Sequence, residues 1–227
     1  MTRVAIAGAA GRMGRTLVAA CQAHELLTLS HAFEHPGNEA VGQPAGTLAG
    51  TADPGPVIGD SIDGPAFDVL IDFTAPEASL ANLDYCAKSH ARMVIGTTGF
   101  DVAQKELISQ ASRDTAVVLA PNMSVGVNIC FKLLEIAAGA FGDDVDIEII
   151  EAHHRNKVDA PSGTALKMGE VVASTLGRSL DHDGVFSRHG RTGPRQQGQI
   201  GFATVRAADI VGEHSVLFAS DAEIVEL

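Results

Sequence analysis

The chain has 227 residues, 45% of them hydrophobic, and 16 Lys and Arg stand against 28 Asp and Glu for a formal net charge of −12. That length allows one large domain or two modest ones, and the apolar fraction excludes a disordered chain. So acidic a protein is not expected to bind nucleic acid, and no apolar run reaches the ~18 residues that a membrane span needs.

The first element is an apolar run over residues 3–8, which suits a buried parallel strand. It leads into Gly8, Ala9, Ala10, Gly11, Arg12, Met13 and Gly14, and a helical pattern follows. This G-x-x-G-x-x-G spacing is a variant of the dinucleotide fingerprint. Gly8 permits the tight turn, Gly11 lets the backbone approach a pyrophosphate, and Gly14 lets helix and strand pack closely. The helix N-terminus then faces the phosphates. A second strand over residues 26–33 ends at Glu34, 20 residues after Gly14. A carboxylate there is placed to accept from ribose hydroxyls. His35 follows it, with no Arg or Lys at that position, so the sequence expresses no strong preference between NADH and NADPH.

Residues 36–66 read as loop, with a short strand near Val57 and Ile58. A buried-type strand over 67–73 is followed by a helix to about His90, with Thr74 as its cap and Pro76 in its first turn. A strand over 93–95 ends in Gly96, Thr97, Thr98 and Gly99. A helix over 102–113 and a strand over 116–120 lead to Pro121, Asn122 and Met123. Alternation of strand and helix through residues 1–123 predicts a Rossmann-like, doubly wound parallel sheet. The small and polar residues at its strand ends outline one long groove, as ligands in such sheets sit beyond the carboxyl ends.

A long apolar helix over 125–141 is expected to bridge to a second domain, residues 124–227. A strand over 145–153 then opens into a loop holding His153, His154, Arg155 and Lys157. Ser162, Gly163 and Thr164 start a helix to about 176, residues 177–198 are irregular, and three strands follow at 199–206, 213–219 and 223–227. The second half is expected to be an α+β unit, an open mixed sheet with helices on one face. Its other face predicts a homo-oligomer built sheet on sheet.

Residues 153–195 carry seven basic side chains against four acidic ones, and four of the nine histidines. The bland reading is a basic surface loop; the sharper one is a pocket for a small anion. Histidine titrates near neutrality, lysine brings charge and donors, and a helix start offers N–H groups to a carboxylate. Together with a nicotinamide domain this describes a reductase, in which the protein supplies a proton and holds an anionic substrate. H-E-x-x-H is absent and no cysteine lies near the two histidines, so no metal is expected. A Tyr-x-x-x-Lys dyad is missing too. Cys21, Cys86 and Cys130 sit in helical patterns with no C-x-x-C and read as reduced thiols. With no charged and apolar leader, a cytoplasmic location is expected.

The run EAHHRNKVDAPSGTA over 151–165 resembles the signature of the dihydrodipicolinate reductase family. The glycine loop, Asp72 to Thr74, Gly96 to Phe100, Asn122 to Asn128, Ile200 to Phe202 and Asp209 to His214 match in order. The resemblance implies His153 and Lys157 as catalytic groups that deliver the proton. It implies His154, Ser162, Gly163 and Thr164 as substrate contacts. As cofactor contacts it implies Gly8 to Met13, Glu34, Thr74, Gly96, Thr97, Thr98, Ala120, Pro121, Asn122 and Met123. The implied reaction reduces 4-hydroxy-tetrahydrodipicolinate, a small cyclic dicarboxylate, with NADH or NADPH and loss of water, in a homotetramer. Family members continue past the position of Leu227 with a segment that returns to the nucleotide domain. Its absence here is expected to destabilise that domain and weaken turnover. Ala207 and Ala208 stand where many members have glycines, so the turn before Asp209 is expected to be altered. An alternative from another class is a catalytically weak NAD(P)-binding scaffold.

Overall fold

Strand β1 (Thr2–Ala7) organises the first unit, Met1–Pro121, in a computed structural model that describes residues 1–227. Its side chains alternate between two cores. Val4 and Ile6 pack with Val18 and Cys21 of α1 (Arg12–Ala23), and with Ala45 and Ile58. Ala5 and Ala7 point the other way, toward Leu83 and Cys86 of α3 (Pro76–Ser89) and Ile108 of α4 (Val102–Ala111). A strand apolar on both faces has to be covered on both, and this is the doubly wound arrangement. With β2 (Leu27–Phe33), β3 (Val69–Asp72), β4 (Arg92–Ile95) and β5 (Val117–Leu119), the sheet order is β2-β1-β3-β4-β5, all parallel. The order reverses between β1 and β3, the switch point where such sheets leave a crevice.

Three local readings change. Residues 36–66 contain a short helix, α2 (Ala45–Ala49), and Val57 makes only an isolated bridge with Pro44. Thr74 does not cap α3, whose N-cap is Ala75 without a side-chain bond. A neighbouring buried acid explains this below. By contrast α4 starts in a full capping box, Asp101 with Gln104, that satisfies two of the donors a helix start leaves open.

The second unit, Asn122–Leu227, starts with α5 (Val125–Phe141), capped by Ser124. The helix expected to bridge, α5, buries Leu134 and Ala138 in this unit's own core. There it meets α6 (Gly163–Thr175) and one face of a sheet ordered β10-β9-β6-β8-β7. The strands are β6 (Asp146–His153), β7 (Gly184–Val185), β8 (Ile200–Arg206), β9 (Glu213–Ala219) and β10 (Ile224–Glu226). β8 and β9 flank β6, parallel and antiparallel respectively. Ile147, Ile149, Ile200, Phe202, Val216 and Phe218 fill the helix-covered face, each burial contributing about 1.5–3 kcal/mol. On the alternate positions Ile150, Val205 and Ile224 stay exposed, which leaves the second face open. The stretch expected to be irregular includes α7 (Leu180–Asp183) and β7, and its Arg188 and Arg195 both pair with Glu148 on β6. Ala208 adopts a φ of 44°, a left-handed backbone at a position without glycine.

Candidate active site

In the first unit, the parallel strands bring the loops after β1, β2, β3, β4 and β5 to one edge of the sheet. Gly8 turns with φ 66°, and a Cβ on Gly14 would lie 2.0 Å from the Gly8 carbonyl oxygen. Strand end and helix start therefore touch backbone to backbone. Gly11 is the N-cap of α1 and makes no side-chain cap bond, and no acid lies in the first turn. The N–H groups at Arg12 and Met13, both exposed, thus have no anionic partner from the chain. Such a helix start fits a phosphate. Ala9 is buried in the core behind the loop. Glu34, expected at the ribose, accepts the Ala10 N–H on its Oε1 at 2.9 Å and so pins the glycine loop.

Asp72, at the end of β3, is fully buried and collects five bonds. Thr74 N–H and Oγ1, Ser79 Oγ and Thr97 Oγ1 donate to its Oδ1 at 2.6–3.2 Å, and Asn82 Nδ2 donates to Oδ2 at 2.8 Å. Thr97 Oγ1 also accepts from Thr74 N–H and Ser79 Oγ. Thr74 and Thr97, expected among the cofactor contacts, have their hydroxyls bonded inside the protein. A buried carboxylate needs these donors more than the groove does. Thr98 remains exposed on the loop after β4. Gly96 sits under Phe73, where a Cβ would be 2.0 Å from the ring. Ala120 donates its N–H to Ile95 and holds the end of β5 beside β4, with Pro121 exposed next to it.

In the second unit, the site is built around a residue that the motif reading passed over. Glu151 lies on β6 in phase with Ile147 and Ile149, so its carboxylate enters the helix-covered face and is 1% exposed. Arg206 from β8 reaches it with two bonds of 2.8 and 2.7 Å, and Ser162 N–H donates to it at 3.1 Å. His153 Nδ1 lies 2.6 Å from its Oε2. Burial pushes the Glu151 carboxyl up, but the bonds from Arg206, His153 and Ser162 prevail and hold it at about 2. An ionised carboxylate only accepts, so Nδ1 of His153 carries the hydrogen and Nε2 is the atom left for chemistry. A Cβ on Gly212 would stand 3.0 Å from that Nε2, so a glycine there keeps it open.

His214 of β9 completes the cluster. It pairs with Glu151 across the strands, and its ring meets His153 edge-on at 5.0 Å between centroids. Its Nε2 lies 2.9 Å from Ser162 Oγ. Burial holds His214 below the ordinary histidine range, and a charge on His153 lowers it further. Ser162 is 2% exposed, and its Oγ also accepts Ala165 N–H to cap α6. Its side chain is thus engaged inside the protein, between His214 and the Ala165 N–H. Asn122 Nδ2 donates to Thr164 Oγ1 at 3.3 Å, so Asn122, read as a cofactor contact, touches the first turn of α6; Met123 beside it is 39% exposed. Lys157 Nζ lies 2.8 Å from Asp159 Oδ1. His154 and Arg206 each keep one buried nitrogen, Nδ1 and Nε, without a hydrogen-bond partner.

Glu151, Arg206 and His214 are the residues that sequence reasoning did not assign. The available signal was an acid at a core-phase position of a strand, which needs partners on the neighbouring strands.

The arrangement supplies a histidine with a fixed tautomer, an ammonium group and a helix start, and, in the other unit, an open helix N-terminus on a glycine loop. No helix of the chain is long and apolar enough to cross a membrane. Among solved structures, the chain is similar to a dipicolinate-bound dihydrodipicolinate reductase from Paenisporosarcina sp. TG-14. The two share 24% identity over 100% of this chain and 86% of that one, with a TM-score of 0.72. It is also similar to the WlbA (WbpB) dehydrogenase from Thermus thermophilus in complex with NAD and alpha-ketoglutarate. That match has 15% identity, 100% and 83% coverage and a TM-score of 0.64. A third is GenD2 from gentamicin A biosynthesis in complex with NAD, at 12% identity, 100% and 72% coverage and a TM-score of 0.63. At these identities the likeness speaks for the fold. The family is carried by two sequence profiles, dihydrodipicolinate reductase N-terminus over residues 2–123 and C-terminus over residues 126–227. The chain therefore belongs to the dihydrodipicolinate reductase family, NAD(P)H-dependent oxidoreductases of diaminopimelate and lysine biosynthesis.

Proposed function

We propose that residues 1–123 bind the nicotinamide nucleotide and that residues 124–227 bind 4-hydroxy-tetrahydrodipicolinate and form the oligomer. The uncapped start of α1, with Glu34 pinning its loop, supports Gly8 to Met13 as the pyrophosphate seat. When bound, NADH or NADPH supplies the hydride. The substrate first loses its 4-hydroxyl as water, C4 of the ring accepts the hydride, and the resulting enamine takes a proton. Either the Lys157 ammonium or His153, once its Nε2 has taken up a proton beside the Glu151-bound Nδ1–H, delivers that proton. His154, with the first N–H groups of α6 at Gly163 and Thr164, holds the carboxylates. The observation that carries this reading is the 2.6 Å contact between His153 Nδ1 and the buried Glu151. It fixes the tautomer and aims Nε2 away from the carboxylate. The open sheet face with Ile150, Val205 and Ile224 supports a tetramer of a cytoplasmic enzyme, and a monomer in sedimentation at micromolar concentration would count against it.

The test follows NADH oxidation with substrate generated in situ by the preceding synthase. The Lys157→Ala variant should lose turnover and still bind NADH. A rate within a few-fold of the parent would remove Lys157 from the proton-delivering pair.

A further inference from the structure

The loop that holds Lys157 also holds an acid with no part in the chemistry above. Asp159 lies two residues on, with its side chain 52% exposed and its Oδ1 2.8 Å from Lys157 Nζ. Its backbone is fixed, because Arg206 donates to the Asp159 carbonyl oxygen at 2.6 Å while also binding Glu151. The carboxylate, unlike the backbone, is half exposed, and Lys157 is its side-chain partner. Burial tends to raise the Asp159 carboxyl, and bonds from Lys157 and from the backbone N–H groups of Asp159 and Gly163 bring it below the ordinary carboxylate range. An ammonium group 2.8 Å from a carboxylate is the partner expected for a bound anion as well.

We propose that the Asp159 carboxylate is an internal stand-in for one substrate carboxylate, paired with Lys157 until the substrate displaces it. The proposal rests on the reading that Lys157 meets the substrate. A chain carboxylate there keeps Lys157 paired, and an incoming dicarboxylate exchanges one ion pair for another instead of meeting a free cation. Asp159 thereby sets how strongly an anion has to bind to open the site. A ligand without a carboxylate leaves the Asp159–Lys157 contact in place, so the device selects for acids.

The experiment measures binding of pyridine-2,6-dicarboxylate by calorimetry to the full chain with NADH present, for the parent, Asp159→Asn, Lys157→Ala and the double variant. Asparagine keeps the size of the side chain and removes the competing charge. Its position is half exposed, so the fold is retained. The Asp159→Asn variant should bind about two- to five-fold more tightly, the range set by an exposed ion pair that no longer competes. The gain should vanish in the double variant, because Asp159 competes only through Lys157. Unchanged or weaker binding by Asp159→Asn, with Lys157→Ala weakened, overturns the stand-in and makes Asp159 a support for the lysine. A gain that survives without Lys157 also overturns it, as general relief of negative charge. If Lys157→Ala binds as the parent does, Lys157 does not meet the substrate, and the proposal falls for that separate reason.

Discussion

Glu151→Gln keeps the shape of the buried side chain and removes its charge, which is also what protonation does. The carboxyl is held at about 2, against an ordinary value of 4.5. At about 1.36 kcal/mol for each tenfold change in proton affinity, that difference corresponds to about 3 kcal/mol of folding stability at pH 7. The sign follows from the direction of the shift. The folded value lies below the unfolded one, so the stabilisation is complete above 4.5 and is lost as pH falls through about 2. The glutamine variant should therefore be about 3 kcal/mol less stable at neutral pH. For a unit of this size that lowers the thermal midpoint by roughly 12 °C, at about 4 °C per kcal/mol. Because the chain has two units, amide hydrogen exchange in β6 and β9 is the suitable assay, as it reads the second unit by itself. The deficit should narrow below pH 4.5 and close near pH 2, where the parent loses the same charge. A variant within about 1 kcal/mol of the parent at pH 7 would refute the reasoning, since breaking a buried pair by removing one partner costs several times that. So would a deficit that does not change with pH.

Two further outcomes test other parts of the chain. Asp72→Asn replaces one accepting oxygen with an NH₂ group amid five donor bonds, so it should destabilise the first unit by about 2–3 kcal/mol and weaken NADH binding as the Thr74 and Thr97 loops loosen. Urea unfolding and NADH fluorescence measure the two effects, and parent-like values in both would show that the network positions nothing. Ala208→Gly should raise the stability of the second unit by roughly 0.5–1 kcal/mol, because Ala208 holds a φ of 44° that costs a side-chain-bearing residue about 1 kcal/mol or more. A lower thermal midpoint for this variant would show that the turn carries no strain.

The sequence by itself determined what depends on near neighbours. Apolar runs became parallel strands, the Gly8 to Gly14 spacing became the strand–helix turn, and the loop from His153 to Thr164 stayed a loop between β6 and α6. Each of these follows from residues a few positions apart, through backbone freedom, side-chain periodicity or a helix start. Only the tertiary structure decided which polar groups face the sites. Arg206 lies 55 residues from Glu151, His214 lies 52 from Ser162, and Asn122 lies 42 from Thr164. The register of β3 and β4 sets the Thr97 hydroxyl on Asp72, 25 residues away. Burying a carboxylate is unfavourable unless donors reach it, and those donors come from whichever strands pack alongside. A motif therefore names the residues of a site, while the pairing of distant strands decides which of them hold its geometry and which remain free to act.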